Sequence, residues 1–98
     1  MTTESYATER ARAKCAEADA LLYRAADTRE SQWMLHAISC YQAALELDPD
    51  LAEAYLGLAE LWLYYEQPEQ AALFVSKALE LDEGNETALN LWGITQTL

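Results

Sequence analysis

Glycine and proline are scarce in this chain, three and two among 98 residues. A sequence so short of turn formers yet about half apolar is neither a disordered segment nor a turn-rich β architecture. Cysteine is equally sparse: Cys15 and Cys40 each sit in a helical pattern among small or apolar neighbours. Such spacing speaks against a disulfide scaffold and for two reduced, partly buried thiols. No continuous apolar run exceeds five residues, the length of Leu61 to Tyr65, so no segment reads as a membrane span. The first residues, Met-Thr-Thr-Glu-Ser-Tyr, lack the hydrophobic stretch of a secretory signal, and the expected location is the cytoplasm.

Positive charge is missing where it would matter for nucleic acid. Residues 1–29 hold five basic and five acidic residues, whereas residues 30–98 hold twelve acidic residues and Lys77 alone, within a formal net charge of −11. The C-terminal two thirds therefore repels nucleic acid and anionic lipid and favours a partner with a neutral or basic contact surface.

What is present is a repeat. Ala44-Leu45-Glu46-Leu47-Asp48 recurs 34 residues later as Ala78-Leu79-Glu80-Leu81-Asp82. The same gapless offset relates Ala37 to Ala71, Tyr55 to Leu89, Leu58 to Trp92 and Ala59 to Gly93. Inside one period, Tyr55, Leu58, Leu61, Trp62 and Tyr65 recur at three- and four-residue steps, the stripe of an amphipathic helix. Pro68 interrupts it, lacking an amide hydrogen and disfavouring helical geometry at Gln67, yet suits the first turn of a following helix, with Glu69 favourable at the dipole. That second helix carries Ala71, Leu73 to Val75, Ala78, Leu79 and Leu81 and should stop near Gly84-Asn85. Ala59 and Ala71 are small where two antiparallel helices must cross closely.

These residues resemble the tetratricopeptide repeat (TPR), whose unit reads W-x2-L-G-x2-Y, then A-x3-F, then P. Residues 52–85 follow it as Tyr55-x2-Leu58-Ala59-x2-Trp62 and Ala71-x3-Val75, with Glu83 in the place of the proline. The preceding unit supplies Ala37-x3-Tyr41 and Pro49, the following one Leu89-x2-Trp92-Gly93. The resemblance implies an all-α, TPR-like α-solenoid of antiparallel helical hairpins with about five helices in the order A-B-A-B-A. One domain spans 1–98: an irregular first repeat over 1–50 with a long first helix, a full repeat over 51–85, and an unpaired terminal helix over 86–98. The first helix is expected over 6–27 with Ala11, Cys15, Ala18, Leu22 and Ala25 inward, followed by a loop of extra residues at Thr28 to Gln32. In the terminal helix, Leu89 and Trp92 are expected inward, with Leu91, Ile94 and Leu98 toward the other side as a dimer or partner face.

No residue set for catalysis is visible. The single histidine, His36, lies four residues from Cys40 without a second ligand pair, and no glycine-rich loop occurs. Neither metal nor cofactor is expected, and the chain reads as a non-enzyme. Trp62 and Trp92 fall at packing positions, which favours core over a base-stacking platform; Trp33 begins a helix. The resemblance implies protein binding in a concave groove lined by the first helix of each repeat. Projecting the groove places gives Glu53, Leu56, Glu60, Leu63, Tyr64, Asn90 and Ile94, suited to an apolar anchor with neutral or basic flanks. Relatives that clamp a terminal carboxylate use basic side chains there. Here those places hold Leu56, Gly57, Glu60, Thr87, Asn90 and Leu91, so a carboxylate clamp is not expected. The functional expectation is an adaptor or small chaperone; the alternative is a module that forms a homodimer through its terminal helix.

Overall fold

Helix-forming residues run unbroken by Gly or Pro up to Pro49, and the chain folds into long helices at once. The computed structural model describes residues 3–97 and the side chains of residues 6–97. It contains α1 (Thr3–Thr28), α2 (Ser31–Leu47), α3 (Ala52–Tyr64), α4 (Pro68–Leu81) and α5 (Glu86–Thr97), with no strand among the described residues.

The turns are tight because single residues reverse the chain. Arg29 and Glu66 both take φ 58, the left-handed conformation in which a helix ends. The Arg29 amide donates to the Ala25 carbonyl at 2.8 Å, and the Gln67 amide to the Trp62 carbonyl at 2.9 Å. The loop expected over Thr28 to Gln32 is consequently only Arg29 and Glu30. Thr28 stays helical, its hydroxyl donating to the Arg24 carbonyl at 3.0 Å and accepting from the Glu30 amide at 3.3 Å. Pro68 opens α4, and Asn85 caps α5 by accepting from the Ala88 amide at 2.9 Å.

The sequence repeat is also a repeat of backbone geometry. Asp48 and Asp82 end α2 and α4 at φ −145, ψ 94 and φ −149, ψ 90. Each donates its amide to an alanine carbonyl four residues back at 2.9 Å, from Asp48 to Ala44 and from Asp82 to Ala78. Each then accepts from the residue three positions on at 3.2 Å, Leu51 and Asn85.

Packing follows the hairpins α1–α2 and α3–α4, with α5 laid against α3 and α4. Two apolar clusters result. The first joins α1 to α2 and α3 through Ala11, Cys15, Ala18, Leu22, Tyr41, Leu58 and Leu61. The second joins α3 to α4 and α5 through Leu56, Ala59, Ala71, Val75, Ala88 and Leu91. The inward set of α1 is the one the sequence indicates: Ala11, Cys15, Ala18, Leu22 and Ala25 are at most 3% exposed. Wedged between the clusters, α3 buries two flanks instead of one stripe, leaving Tyr55 and Trp62 only partly covered.

The faces of α5 are reversed from expectation. Leu91 and Ala88 are buried, while Leu89 and Trp92 are 50% and 38% exposed. By the 34-residue offset, Leu89 and Trp92 occupy the places of Tyr55 and Leu58. Among the described residues no later helix follows α5 to pack on Leu89 as α4 packs on Tyr55 through Phe74. The packed-core expectation for Trp92 falls with this reversal, and Leu98 lies outside the described residues.

Candidate functional site: the cleft between α1, α3 and α5

Curvature follows from which helices touch. Contacts link α1 to α3 and α3 to α5, whereas α2 and α4 do not meet among the described residues. Closer approach along the α1–α3–α5 side makes that side concave, and a cleft of about 480 Å³ opens there, lined by Tyr23, Glu60, Leu63, Tyr64, Leu91 and Ile94. A broader depression of about 540 Å³ is lined by Ala20, Tyr23, Arg24, Ala26 and Asp27. Those residues belong to the surface of α1 alone, so of these two the first is the one built by several elements.

Of the groove residues projected from sequence, Glu60, Leu63, Tyr64 and Ile94 are brought together in this cleft. Three lie elsewhere. Leu56 is 8% exposed and packs in the second cluster, because α5 covers it. Glu53 is engaged by Arg12 of α1 across 3.3 Å, on the surface. Asn90 is exposed but does not line the cleft. Two lining residues stand outside the projected groove set: Leu91, expected with Ile94 and Leu98 on a dimer or partner face, and Tyr23, which comes from α1, whose register the repeat does not fix. Tyr23 had one sequence signal, an aromatic outside the inward set of α1 and four residues after Asp19, hence on the same helix face.

Residues 36–67 match a family model described as TPR repeat. Over 63 residues the chain is 35% identical to tetratricopeptide repeat protein 6 of Homo sapiens, an alignment covering 64% of this chain but 12% of that protein. The matched segment holds α2 from His36 on, the Asp48 turn and α3. Residues 36–67 are thus similar to a tetratricopeptide repeat, and the helical stack around them is TPR-like. Repeats of this family generally mediate protein–protein interaction. Among the described residues of this TPR-like stack, no helix is long and apolar enough to cross a membrane.

Acidity dominates the cleft electrostatics. Burial foremost, then the neighbouring Asp19, raises the Glu60 carboxyl above its ordinary value of 4.5. The Glu60 carboxylate, more than burial or Asp19 and Tyr64, raises the Tyr23 hydroxyl in turn. Asp19 itself accepts a hydrogen bond from the buried Tyr41 hydroxyl. Beneath this surface, burial foremost, then Asp19 and Glu53, push the Cys15 thiol up to about 12. Burial and Glu17 raise Cys40 against a lowering by Lys14. Both thiols are unbridged and protonated, thus poor nucleophiles. His36, four residues from Cys40, is exposed while Cys40 is buried.

A pH dependence of stability follows. A carboxyl whose pKa is higher folded than unfolded binds its proton more tightly in the native state, so ionised Glu60 lowers stability above that raised value. Glu60→Gln should therefore melt a few degrees above wild type at pH 7. The difference should shrink as pH falls through the raised pKa and vanish below 4.5, where Glu60 is protonated in both states. The groups facing Glu60 are Asp19 and Tyr23 from α1, the Tyr41 hydroxyl from α2 and Tyr64 from α3; α5 contributes Leu91 and Ile94, which do not titrate. Thermal unfolding of both proteins across this range checks it. A variant less stable than wild type at pH 7 would mean that Glu60 is held by a favourable contact.

Proposed function

We propose that this chain is a non-enzymatic adaptor or small chaperone that holds a helix or extended segment of another protein in the cleft between α1, α3 and α5. The observation that carries this reading is the composition of that cleft. Leu63, Leu91 and Ile94 form an apolar wall, the partly exposed Tyr64 and Tyr23 stand at its edges, and one carboxylate lies within it. Apolar anchors of a partner would displace water from the wall, while the acid would select neutral or basic flanks. Two unbridged thiols accord with a reducing cytoplasmic setting.

Affinity capture from native cell extract tests the reading. Immobilised wild type is compared with Tyr64→Lys/Ile94→Lys, two positions exposed by 43% and 46% whose replacement leaves both clusters intact. Leu73→Lys, 67% exposed on α4 and away from the cleft, is the control. The expected result is a partner retained by wild type and by Leu73→Lys and lost by the cleft variant. A partner retained equally by all three would place binding elsewhere. Recovery of further copies of the bait alone would favour the second reading, a homodimer through α5. Leu89, Trp92 and Ile94 are exposed on that helix, whereas Leu91 is already buried within the chain.

A further inference from the structure

The cleft acid has no cation of its own. Each of the six Lys and Arg residues is engaged elsewhere. Arg12 pairs with Glu53 at 3.3 Å, Lys14 with Glu17 at 3.4 Å and Lys77 with Glu80 at 3.5 Å. Arg24 stacks over Trp33 at 4.8 Å and Arg10 over Tyr6 at 5.9 Å. Arg29 donates to the Tyr64 carbonyl at 3.1 Å and lies 5.6 Å from the Tyr65 ring. Glu60 is thus a half-buried carboxylate without an ion-pair partner among the described residues, in the lining of a concave site.

Around it stand the groups that receive a long cationic side chain. Tyr23 and Tyr64, 60% and 43% exposed, present aromatic rings from facing helices. Leu63, Leu91 and Ile94 supply the apolar surface along which an aliphatic stem can lie. An ammonium is strongly hydrated and would lose more solvation in a site that already desolvates Glu60. A guanidinium is more weakly hydrated, planar enough to stack on tyrosine, and forked to match a carboxylate.

We propose that the cleft is a receptor for a single cationic side chain of the partner, an arginine ahead of a lysine, whose head pairs with Glu60 between Tyr23 and Tyr64. The proposal rests on the groove reading above and adds the chemistry that the groove selects. The partner is accordingly a protein segment with one basic residue among apolar ones. A polybasic tract is disfavoured, since one unpaired acid in a largely apolar cleft offers one cation site.

The test uses a defined probe, an acetylated and amidated alanine–leucine helical peptide of about fourteen residues with one central arginine. The same peptides carrying lysine and citrulline, the uncharged isostere of arginine, are its comparisons. Backbone amide shifts of the isotope-labelled full chain report the site and the affinity. The arginine peptide is expected to move the amides of Tyr23, Glu60, Tyr64 and Ile94. It should bind about tenfold more tightly than the citrulline peptide, with lysine between. In Glu60→Gln, arginine and citrulline peptides should bind equally, with the citrulline affinity unchanged from wild type. Equal binding of both peptides to wild type at those amides would overturn the cation receptor and leave the groove reading standing. If neither peptide moves those amides at millimolar concentration, both fall.

Discussion

Gly57→Ala is expected to lower the thermal midpoint by about 10–20 °C, although alanine is the better helix former. Gly57 lies inside α3, and a Cβ built there would run into Cε1, Cζ and Oη of Tyr41. Tyr41 heads the largest fully buried side chains, at 0% exposure, and its hydroxyl is held by Asp19. The ring cannot swing away without opening the first cluster and releasing that hydrogen bond. Overpacking costs about 1–3 kcal/mol and a hydrogen bond to a charged group about 1.5–3 kcal/mol. Against them stands a propensity gain of about 1 kcal/mol. The net is a loss on the order of 2–3 kcal/mol. The repeat itself supplies the rescue: 34 residues on, the equivalents of Tyr41 and Gly57 are Val75 and Leu91, a smaller residue and a larger one sharing the second cluster. Tyr41→Val/Gly57→Leu should therefore recover at least half of the stability that Gly57→Leu alone loses. Thermal and denaturant unfolding of the single and double variants decide it. A Gly57→Ala protein as stable as wild type would mean that the Tyr41 ring relocates freely.

The same volume exchange marks where sequence was legible and where it was not. The gapless offset was readable because backbone turns are set by local chemistry: the Asp48 and Asp82 geometries coincide, and Pro68 and Asn85 act within one turn. Likewise α1 showed its inward side, since Ala11, Cys15, Ala18, Leu22 and Ala25 face one neighbouring layer. Periodicity fails where a helix has two neighbours, or lacks one. The central α3 buries Leu56 on one flank and Leu58 on the other, so a single stripe understated its contacts. At α5, equivalence by offset called for Leu89 and Trp92 inside. Phe74 of the following helix stacks on Tyr55, and Leu89 has no such helix after it among the described residues, while Leu91 fills the side that Gly57 leaves to Tyr41. In the cleft, residues of α3 and Ile94 could be projected from the repeat, whereas Tyr23 depends on how a long first helix lies across α3. That placement is a tertiary fact, supported by the Arg12–Glu53 pair and by the Tyr65 hydroxyl donating to the Ala25 carbonyl at 3.4 Å.

Leu56→Ala should cost about 2–4 kcal/mol and express most of that loss at one end of the molecule. Leu56 lies where α3 meets α5, in the cluster to which α5 contributes Ala88 and Leu91. A helix of twelve residues is marginal on its own in water, so α5 depends on that cluster for its order. The first cluster, which joins α1 and α2 to the other flank of α3, does not include Leu56. Hydrogen exchange should accordingly show amides from Leu91 to Thr95 losing protection while those of Cys15, Leu22 and Tyr41 keep it. Binding should suffer with it, because Leu91 and Ile94 form the α5 wall of the cleft while Tyr23, Glu60 and Tyr64 remain on α1 and α3. The arginine peptide should then bind more weakly, although Leu56 does not line the site, and keep its preference over citrulline because Glu60 is untouched. Uniform loss of protection across all five helices would instead mean that the stack opens as one unit. Unchanged protection at α5 would mean that Leu56 does not hold it.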